Sequence, residues 1–367
     1  MTAKRKVAIA YDWIDKWGGV ERVLITLNEI FPEALFYTSV YDEKNAAWAK
    51  NMSVKTSFMQ KFPDFIKKSR LASVPFYMLA FENQDFRDFD LVISVTSSFA
   101  KSIVTMPETK HVCYLLTPTR FLWSHQDDYF HENYLNRPLV NHIKKWDVAV
   151  SKRPDKIISI SDSVRKRCLK YYGVDSEVIY PPFDVGYWSK IKSDAAKTPK
   201  AFGDKYYLIV SRLEPYKKID LAVKTFSDIG KRLVVVGRGT GEKYLKSIAG
   251  PNISFLKDIP DRQLAVLYKG AEALVMPQEE DFGYVSLESQ FFGTPVITHK
   301  TGGGSETVAD RKTGLFFDNS SEASFRRTIE RFEVIGYNLR ANLGKNMKEY
   351  FSKFEKSNFI REFKESL

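Results

Sequence analysis

The sequence predicts an α/β protein built from two doubly wound domains, each a parallel sheet covered by helices. Three observations carry this expectation. Short apolar runs rich in branched residues alternate with helix-like stretches. The chain has 367 residues, too many for one ordinary core and suited to two domains of about 100–200 residues each. An adjacent pair, Pro181 and Pro182, stiffens the chain near its middle and disfavours helix at Tyr180.

The C-terminal half is the more regular. Its apolar runs are "YYLIVSR", "RLVVVG", "ISFL", "ALVMP", "PVITH" and "GLFF". Helix-like stretches "KKIDLAVKTFSDIG", "DRQLAVLYKGA" and "GYVSLESQFFG" lie between several of them. Near-continuous apolar strands with short connections belong to a sheet buried on both faces. In the N-terminal half "KVAIAY", "DLVISVT", "HVCYLL" and "KIISISD" read as buried strands with less regular spacing. The segment 177–188, "EVIYPPFDVGYW", reads as the join, and the polar residues 189–204 as a connecting loop. The expected domains are residues 1–185 and 186–344. The charged C-terminal stretch has helical period.

Composition narrows the function. Hydrophobic residues at 44% and charged residues at 28% are ordinary for a soluble globular protein. No apolar run approaches the roughly 18 residues of a membrane span. The opening "MTAKRKVAIAYDW" holds an apolar run, Val7 to Tyr11, too short for the core of a signal peptide. It reads as a basic tail before a buried strand. Two cysteines, Cys113 and Cys168, argue against a disulfide framework and make a cytoplasmic site the expectation. No Cys/His spacing suggests zinc.

A net charge of +11 points to anionic partners: phosphorylated small molecules, nucleic acid or an anionic membrane face. No RNA-binding sheet motif or recognition-helix pattern is present, so nucleic acid is not expected. In "MQKFPDFIKKSRLASVPFYML", Lys61, Lys67, Lys68 and Arg70 interleave with Phe62, Phe65, Leu71 and Phe76. Two readings stand: an interfacial amphipathic segment on a membrane, or a helix with a solvated basic face and a core-facing aromatic side.

The residues that carry chemistry cluster after strands. In "MPQEEDFGYVSLESQFFGTPVI" a strand ends at Met276–Pro277, acids follow at Glu279 and Glu280, and Gly283 precedes a helix carrying Glu288. Ligands of open α/β sheets bind at the carboxyl ends of strands. A helix start offers free backbone N–H groups to an anion, and carboxylates there grip hydroxyls. The plainer alternative is a capping acid and a solvated helical Glu. "SRLEPYKKID" places Arg212 and Lys217 at another strand end, where two cations suit a diphosphate, or form an ordinary surface pair. Gly302, Gly303 and Gly304 before Glu306 allow close backbone approach to a ligand, or a flexible turn. In the first half, "YDWIDKWGGVERVL" puts Gly18 and Gly19 between a strand and a helix. That is a backbone-amide anion site, though neither a GxGxxG nor a Walker loop.

Together these segments resemble one family. "EEDFGYVSLE" resembles the Glu-x7-Glu motif of retaining glycosyltransferases of family GT4. "SRLEPYKKID" before it, and "FFGTPVI" and "GGGSETV" after it, follow that family's order. "HVCYLLTPTRFLW" and "YYGVDSEVIYPPFDV" resemble a bacterial, mannosyltransferase-like subgroup of O-antigen, lipopolysaccharide and other polysaccharide assembly. The resemblance implies the GT-B fold, two Rossmann-like domains facing across a cleft, with the C-terminal helix, residues 345–367, packing back on the first. It implies that Glu280 faces the donor sugar, as the catalytic position, and that Glu288 holds the nucleotide ribose. It places Arg212 and Lys217 on the donor diphosphate, with Gly18 and Gly19 beside it. Phe282 and Gly283 of the same motif count as donor-binding. It implies no metal and no other cofactor. The donor would be a nucleotide sugar, GDP-mannose first. The acceptor would be a glycan or lipid-linked, in the cytoplasm or peripherally on the inner membrane face. Such a transfer needs stabilisation of the leaving diphosphate and exclusion of water.

One position departs from the subgroup. Where its Tyr-x-His-x-Pro stretch has histidine, thought to touch the donor sugar, this chain has Leu116. Leu116 is therefore expected to bear on sugar selectivity, unless His111 or His125 reaches the sugar instead. Two other functions compete with transfer. One is a catalytically silent GT-B protein that binds a sugar nucleotide or a partner enzyme. The other is a nicotinamide-dependent oxidoreductase, disfavoured because no GxGxxG follows the first strand.

Overall fold

A computed structural model describes residues 5–68, 73–124, 137–195, 205–318 and 321–367. The chain divides into two compact units, Met1–Pro182 with Ser357–Leu367, and Phe183–Lys356.

The first unit carries β1 (Val7–Tyr11), β2 (Leu35–Thr38), β3 (Ser53–Thr56), β4 (Leu91–Thr96), β5 (Lys110–Leu115), β6 (Lys156–Ser159) and β7 (Glu177–Val178). They form one sheet in the order β3-β2-β1-β4-β5-β6-β7, with every pairing parallel. Ile9 lies opposite Phe36 on one side and Ile93 on the other. All three are fully buried, as strands covered on both faces require. Strands β2, β3 and β7 escaped the sequence reading; β3 is half exposed and has no apolar run, and β7 is two residues long.

The second unit carries β8 (Tyr207–Val210), β9 (Leu233–Val236), β10 (Ile253–Leu256), β11 (Leu274–Met276), β12 (Val296–His299) and β13 (Gly314–Phe317). Their order is β10-β9-β8-β11-β12-β13, again parallel throughout. This is the doubly wound 3-2-1-4-5-6 order. Ile209, Val235, Val275, Ile297 and Leu315 supply the sheet's share of the core, against Val223, Phe226, Phe325 and Ile329 from helices.

Two details differ from the expected boundaries. The break falls at Pro182/Phe183 rather than after residue 185. Residues 189–195 belong to a helix, Val185–Ala195, not to a loop. Trp188 and Ala195 are its buried positions, a stripe too thin among lysines and serines to stand out in sequence. Residues 196–204 of the expected loop lie outside the described residues.

The C-terminal stretch is split. Helix Glu322–Phe351 belongs to the second unit, and only Ser357–Leu367 joins the first. There Phe359 and Phe363 are buried with their rings 5.8 and 6.0 Å from Tyr114. Lys110 and Lys156 donate to the backbone carbonyls of Leu367 and Ser366. The lysine–carbonyl bonds suit a helix C-terminus, where orphan carbonyls concentrate.

Candidate functional site

In a doubly wound sheet the strand order reverses between the first and fourth strands, and the crevice there, at the strands' carboxyl ends, receives ligands. In the second unit those strands are β8 and β11. The loop after β8 carries Arg212 and Lys217, and the loop after β11 carries Gln278 to Gly283. The topology thus brings together two segments some 60 residues apart.

Lys217 ends a short 3-10 turn, Pro215–Lys217, and is 6% exposed. Its ammonium lies 2.5 Å from Glu280 Oε1. Gln278 Nε2 donates to the same oxygen at 2.5 Å. A buried ammonium is tolerated only when paired and hydrogen-bonded, and Glu280 supplies that partner. The Tyr216 ring lies under both cations, 5.8 Å from the Arg212 guanidinium carbon and 5.5 Å from Lys217 Nζ. Arg212 itself is exposed. The arrangement concentrates one buried and one exposed cation with a carboxylate at the crevice.

Gly283 opens helix Tyr284–Phe291 with φ +88°, and a Cβ there would meet Met276 Cε at 2.9 Å. The positive φ is what calls for glycine, since the end of the Met276 side chain can move aside. The helix then carries Glu288 inward to 2% exposure. Tyr268, fully buried, donates its hydroxyl to Glu288 Oε2 at 2.8 Å. The solvated-Glu reading therefore fails, because Glu288 is buried and hydrogen-bonded. Phe282 points its ring inward, with Tyr284 at 5.1 Å and Phe354 at 5.7 Å, so its backbone is what it can offer a ligand.

Gly302 and Gly303 pack against the acidic loop. Gly303 N donates to Glu280 O at 2.6 Å. A Cβ at Gly303 would sit 2.4 Å from Asp281 O and from Phe282 Cα, and one at Gly302 (φ +88°) 2.7 Å from Glu280 O. Their close approach is to the acidic loop, which they buttress backbone to backbone. A second glycine set went unread. "GRGTG" after β9 packs on the Arg212 loop: a Cβ at Gly237 would lie 1.8 Å from Ser211 O, and one at Gly239 2.4 Å from Leu213 O. Leu213 N donates to Arg238 O, and Gly241 N to Leu213 O, both at 2.8 Å. Its sequence signal was three glycines at alternate positions after a strand. Both loops of the site are thus held by backbone contacts that no side chain could replace.

In the first unit the reversal falls between β1 and β4. Asp12, directly after β1 and fully buried, accepts from Thr96 Oγ1, Ser97 N, Phe99 N and Ala100 N at 2.7–2.8 Å. The carboxylate closes the loop after β4 onto the loop after β1. Gly18 and Gly19 follow, and Gly19 caps helix Val20–Ile30 in ordinary helical geometry, φ −87°. Glu21 folds its carboxylate back toward Gly18, where a Cβ would lie 3.2 Å from Oε2. Burial pushes the Glu21 carboxyl up to about 7, against backbone N–H groups of Glu21 and Gly18 that favour its ionised form.

Leu116 follows β5 and donates its N–H to Thr96 O at 2.8 Å, placing it at the carboxyl end of the sheet. His111 does not join it there. It lies five residues back along the strand, roughly 17 Å away, with Nε2 2.8 Å from Ser94 Oγ. Burial holds its imidazole down to about 3. His125 lies outside the described residues. The segment after Leu116 is fixed by a polar network unread in sequence. The Lys101 ammonium and Asp147 are 2.7 Å apart, 2% and 1% exposed. Asp147 also accepts from Thr119 Oγ1, Trp123 Nε1 and Tyr172 OH at 2.8–2.9 Å.

The basic–aromatic segment splits into a 3-10 turn, Phe58–Lys61, and helices Asp64–Lys68 and Val74–Glu82. Its aromatic side is not core-facing throughout: Phe65 is 74% exposed, and Phe58, Phe76 and Leu79 are exposed too. Phe62 bridges Phe58 and Phe76 with ring separations of 5.6 and 5.1 Å. Arg70 and Leu71 lie outside the described residues. Among the described residues no helix is long and apolar enough to cross a membrane.

Residues 190–350 match the family described as Glycosyl transferases group 1. D-inositol 3-phosphate glycosyltransferase of Segniliparus rotundus is 26% identical over 207 residues, 51% of this chain and 46% of that one. Glycogen synthase of Xanthomonas campestris pv. campestris is 32% identical over 167 residues, 41% of this chain and 34% of that one. The chain thus spans less than half the length of these curated relatives. The crystal structure of Anabaena HepE in complex with UDP-glucose superposes with a TM-score of 0.72 at 18% identity, covering 98% of this chain and 100% of that one. The protein has the GT-B fold, and within it residues 190–350 resemble the Glycosyl transferases group 1 family.

Proposed function

We propose that this protein is a retaining glycosyltransferase that moves a hexose from a nucleoside-diphosphate sugar to a glycan or lipid-linked acceptor. The observation that carries the reading is the buried Lys217–Glu280 pair at the β8/β11 crevice, with Glu288 buried in the helix that follows. Arg212 and Lys217 neutralise the diphosphate as its bond to the anomeric carbon breaks, which lowers the barrier where negative charge develops. Glu280 stands next to that diphosphate site and faces the sugar. Glu288, held by Tyr268, takes the ribose hydroxyls. Gly18 and Gly19 add backbone amides, and Phe282 and Gly283 their own backbone. The two cations supply the charge that a metal supplies in other transferases.

Mannose on GDP is the donor implied by the subgroup motifs, and HepE, which holds UDP-glucose, makes that the necessary comparison. A thermal-shift panel of GDP-mannose, UDP-glucose and their free diphosphates tests the reading. A ligand at about 100 times its Kd adds roughly 2.7 kcal/mol of stability. No shift with any of them sinks the proposal. Retention is checked by the anomeric configuration of the product, and an inverted product refutes it. Leu116, in place of the subgroup's histidine, supports a second reading as a catalytically silent nucleotide-sugar binder. Donor hydrolysis without acceptor separates the two.

The exposed Phe58, Phe65, Phe76 and Leu79 beside Lys61 and Lys67 support reversible attachment of the first unit to an anionic membrane. Each basic residue near such a surface contributes about 1 kcal/mol, and salt screens it. Flotation with vesicles of anionic lipid at low salt is expected to carry the protein up, and Phe65→Ser to reduce that fraction. Failure to float at low salt favours a soluble acceptor.

A further inference from the structure

We propose that Gln278 reads a hydroxyl of the donor sugar. The inference rests on the glycosyltransferase reading above and deepens it. Gln278 follows β11 by two residues, between Pro277 and the acidic pair, and is 4% exposed. Its Nε2 donates to Glu280 Oε1 at 2.5 Å, the oxygen that also takes the Lys217 ammonium. That contact dictates which way the amide faces. A flipped amide would set carbonyl oxygen against carboxylate oxygen. The carbonyl end of Gln278 is therefore turned away from Glu280. Oε1 is buried there and has no hydrogen-bond partner.

Buried carbonyl oxygens in folded proteins are paired with few exceptions, and an orphan marks a place where a donor is missing. The missing partner must bring an O–H or N–H, because a carbonyl oxygen only accepts. Diphosphate oxygens are acceptors and do not qualify. Sugar hydroxyls do, and the ribose hydroxyls and base N–H groups, which donate as well, are told apart by the free-diphosphate titration below. A site built to bond a hydroxyl rejects an analogue lacking it, because the buried group is then left unpaired. Gln278 thereby couples two tasks: its N–H end holds Glu280, and its carbonyl end selects a hydroxylated sugar.

The test is calorimetric titration of the full chain with UDP, UDP-glucose, GDP and GDP-mannose. Monodeoxy analogues of whichever sugar nucleotide binds are then titrated into the wild type and Gln278→Met. Methionine keeps the length and removes both donor and acceptor. In the wild type one deoxy analogue is expected to bind about tenfold more weakly than the parent sugar nucleotide. In Gln278→Met the same analogue is expected to lose nothing further relative to the parent. This coupling isolates the pair, which a variant that merely disturbs Glu280 would not reproduce. Affinity for the free nucleoside diphosphate is expected to stay within about twofold, and it reports that the site is folded. Identical deoxy penalties in both proteins overturn the inference, as does an equal loss for the free diphosphate and its sugar nucleotide. Wild type that binds none of the four nucleotides overturns the parent reading as well, a distinct result. If Gln278→Met does not melt cooperatively, Gln278→Ser repeats the comparison.

Discussion

The two units share a strand order but use their reversal points differently. In the first unit the buried charges at and behind the crevice are met by protein groups. Asp12 takes three backbone amides and a hydroxyl, and Lys101 is neutralised by Asp147. In the second unit an exposed Arg212 stands beside Lys217 and Glu280, and Gln278 keeps an unpartnered carbonyl oxygen. The topology supplies the crevice in both cases, and the residues of the loops decide which charges stand there and what meets them.

The comparison breaks most visibly if the first unit's buried ion pair is not structural. Lys101→Met leaves Asp147 buried without its cation, and removing one partner of such a pair costs about 3–5 kcal/mol. Chemical denaturation is expected to show that loss, while nucleoside diphosphate affinity of the folded protein stays within about twofold. Weakened nucleotide binding at unchanged stability would move Lys101 into the ligand site.

Glu21 gives the next effect, and it depends on pH. Its carboxyl is raised from 4.5 to about 7 in the folded chain, chiefly by burial. The folded state therefore holds a proton that the unfolded state has released between those values. Stability from this group is fully present below pH 4.5 and is lost as pH rises through 7, a total on the order of 3 kcal/mol. Glu21→Gln, which mimics the protonated form, is expected to match the wild type near pH 4.5 and to exceed it in stability at pH 8. Parallel stability curves across that range would show that Glu21 is not held protonated.

Lys217→Ala and Arg212→Ala probe the second unit. On the proposed reading each substitution is expected to remove a charge-assisted contact to the diphosphate worth roughly 1.5–3 kcal/mol, about 10- to 150-fold in Kd. Calorimetry with the free nucleoside diphosphate measures it, and unchanged affinity in either variant removes that residue from the site.

The smallest effect belongs to Leu116. If it stands where the subgroup's histidine bonds the sugar, leucine tolerates a methyl group there, worth about 0.8 kcal/mol. The wild type is then expected to favour nucleotide-linked 6-deoxyhexoses modestly over GDP-mannose relative to Leu116→His. An unchanged ratio of kcat/KM for the two donors shows that Leu116 does not select the sugar.

The parts legible in sequence were those encoded by nearest neighbours along the chain. Apolar runs marked most of the strands, and the eight-residue spacing from Glu280 to Glu288 placed a loop acid and a helical acid at one strand end. Arg212 and Lys217 were visible for the same reason. Asp12 and the loop that donates to it, by contrast, are 84 to 88 residues apart, and Lys101 and Asp147 are 46 apart. Neither pair leaves a periodic trace. Gln278 sat in plain view beside Glu280, yet nothing local told which end of its amide was committed.

The sequence by itself determined the α/β class, the two-unit division and the residue types gathered after β8 and β11, because periodicity, proline and short-range spacing are properties of the chain alone. The tertiary structure alone decided which charges meet. Lys217 pairs with Glu280 because the sheet order sets β11 beside β8, 63 residues apart in the chain. Burial decided the rest. Desolvation makes a lone carboxylate or carbonyl costly, so Glu288 is held by Tyr268, Glu21 favours its proton, and Gln278 Oε1 stands where a ligand's hydroxyl belongs.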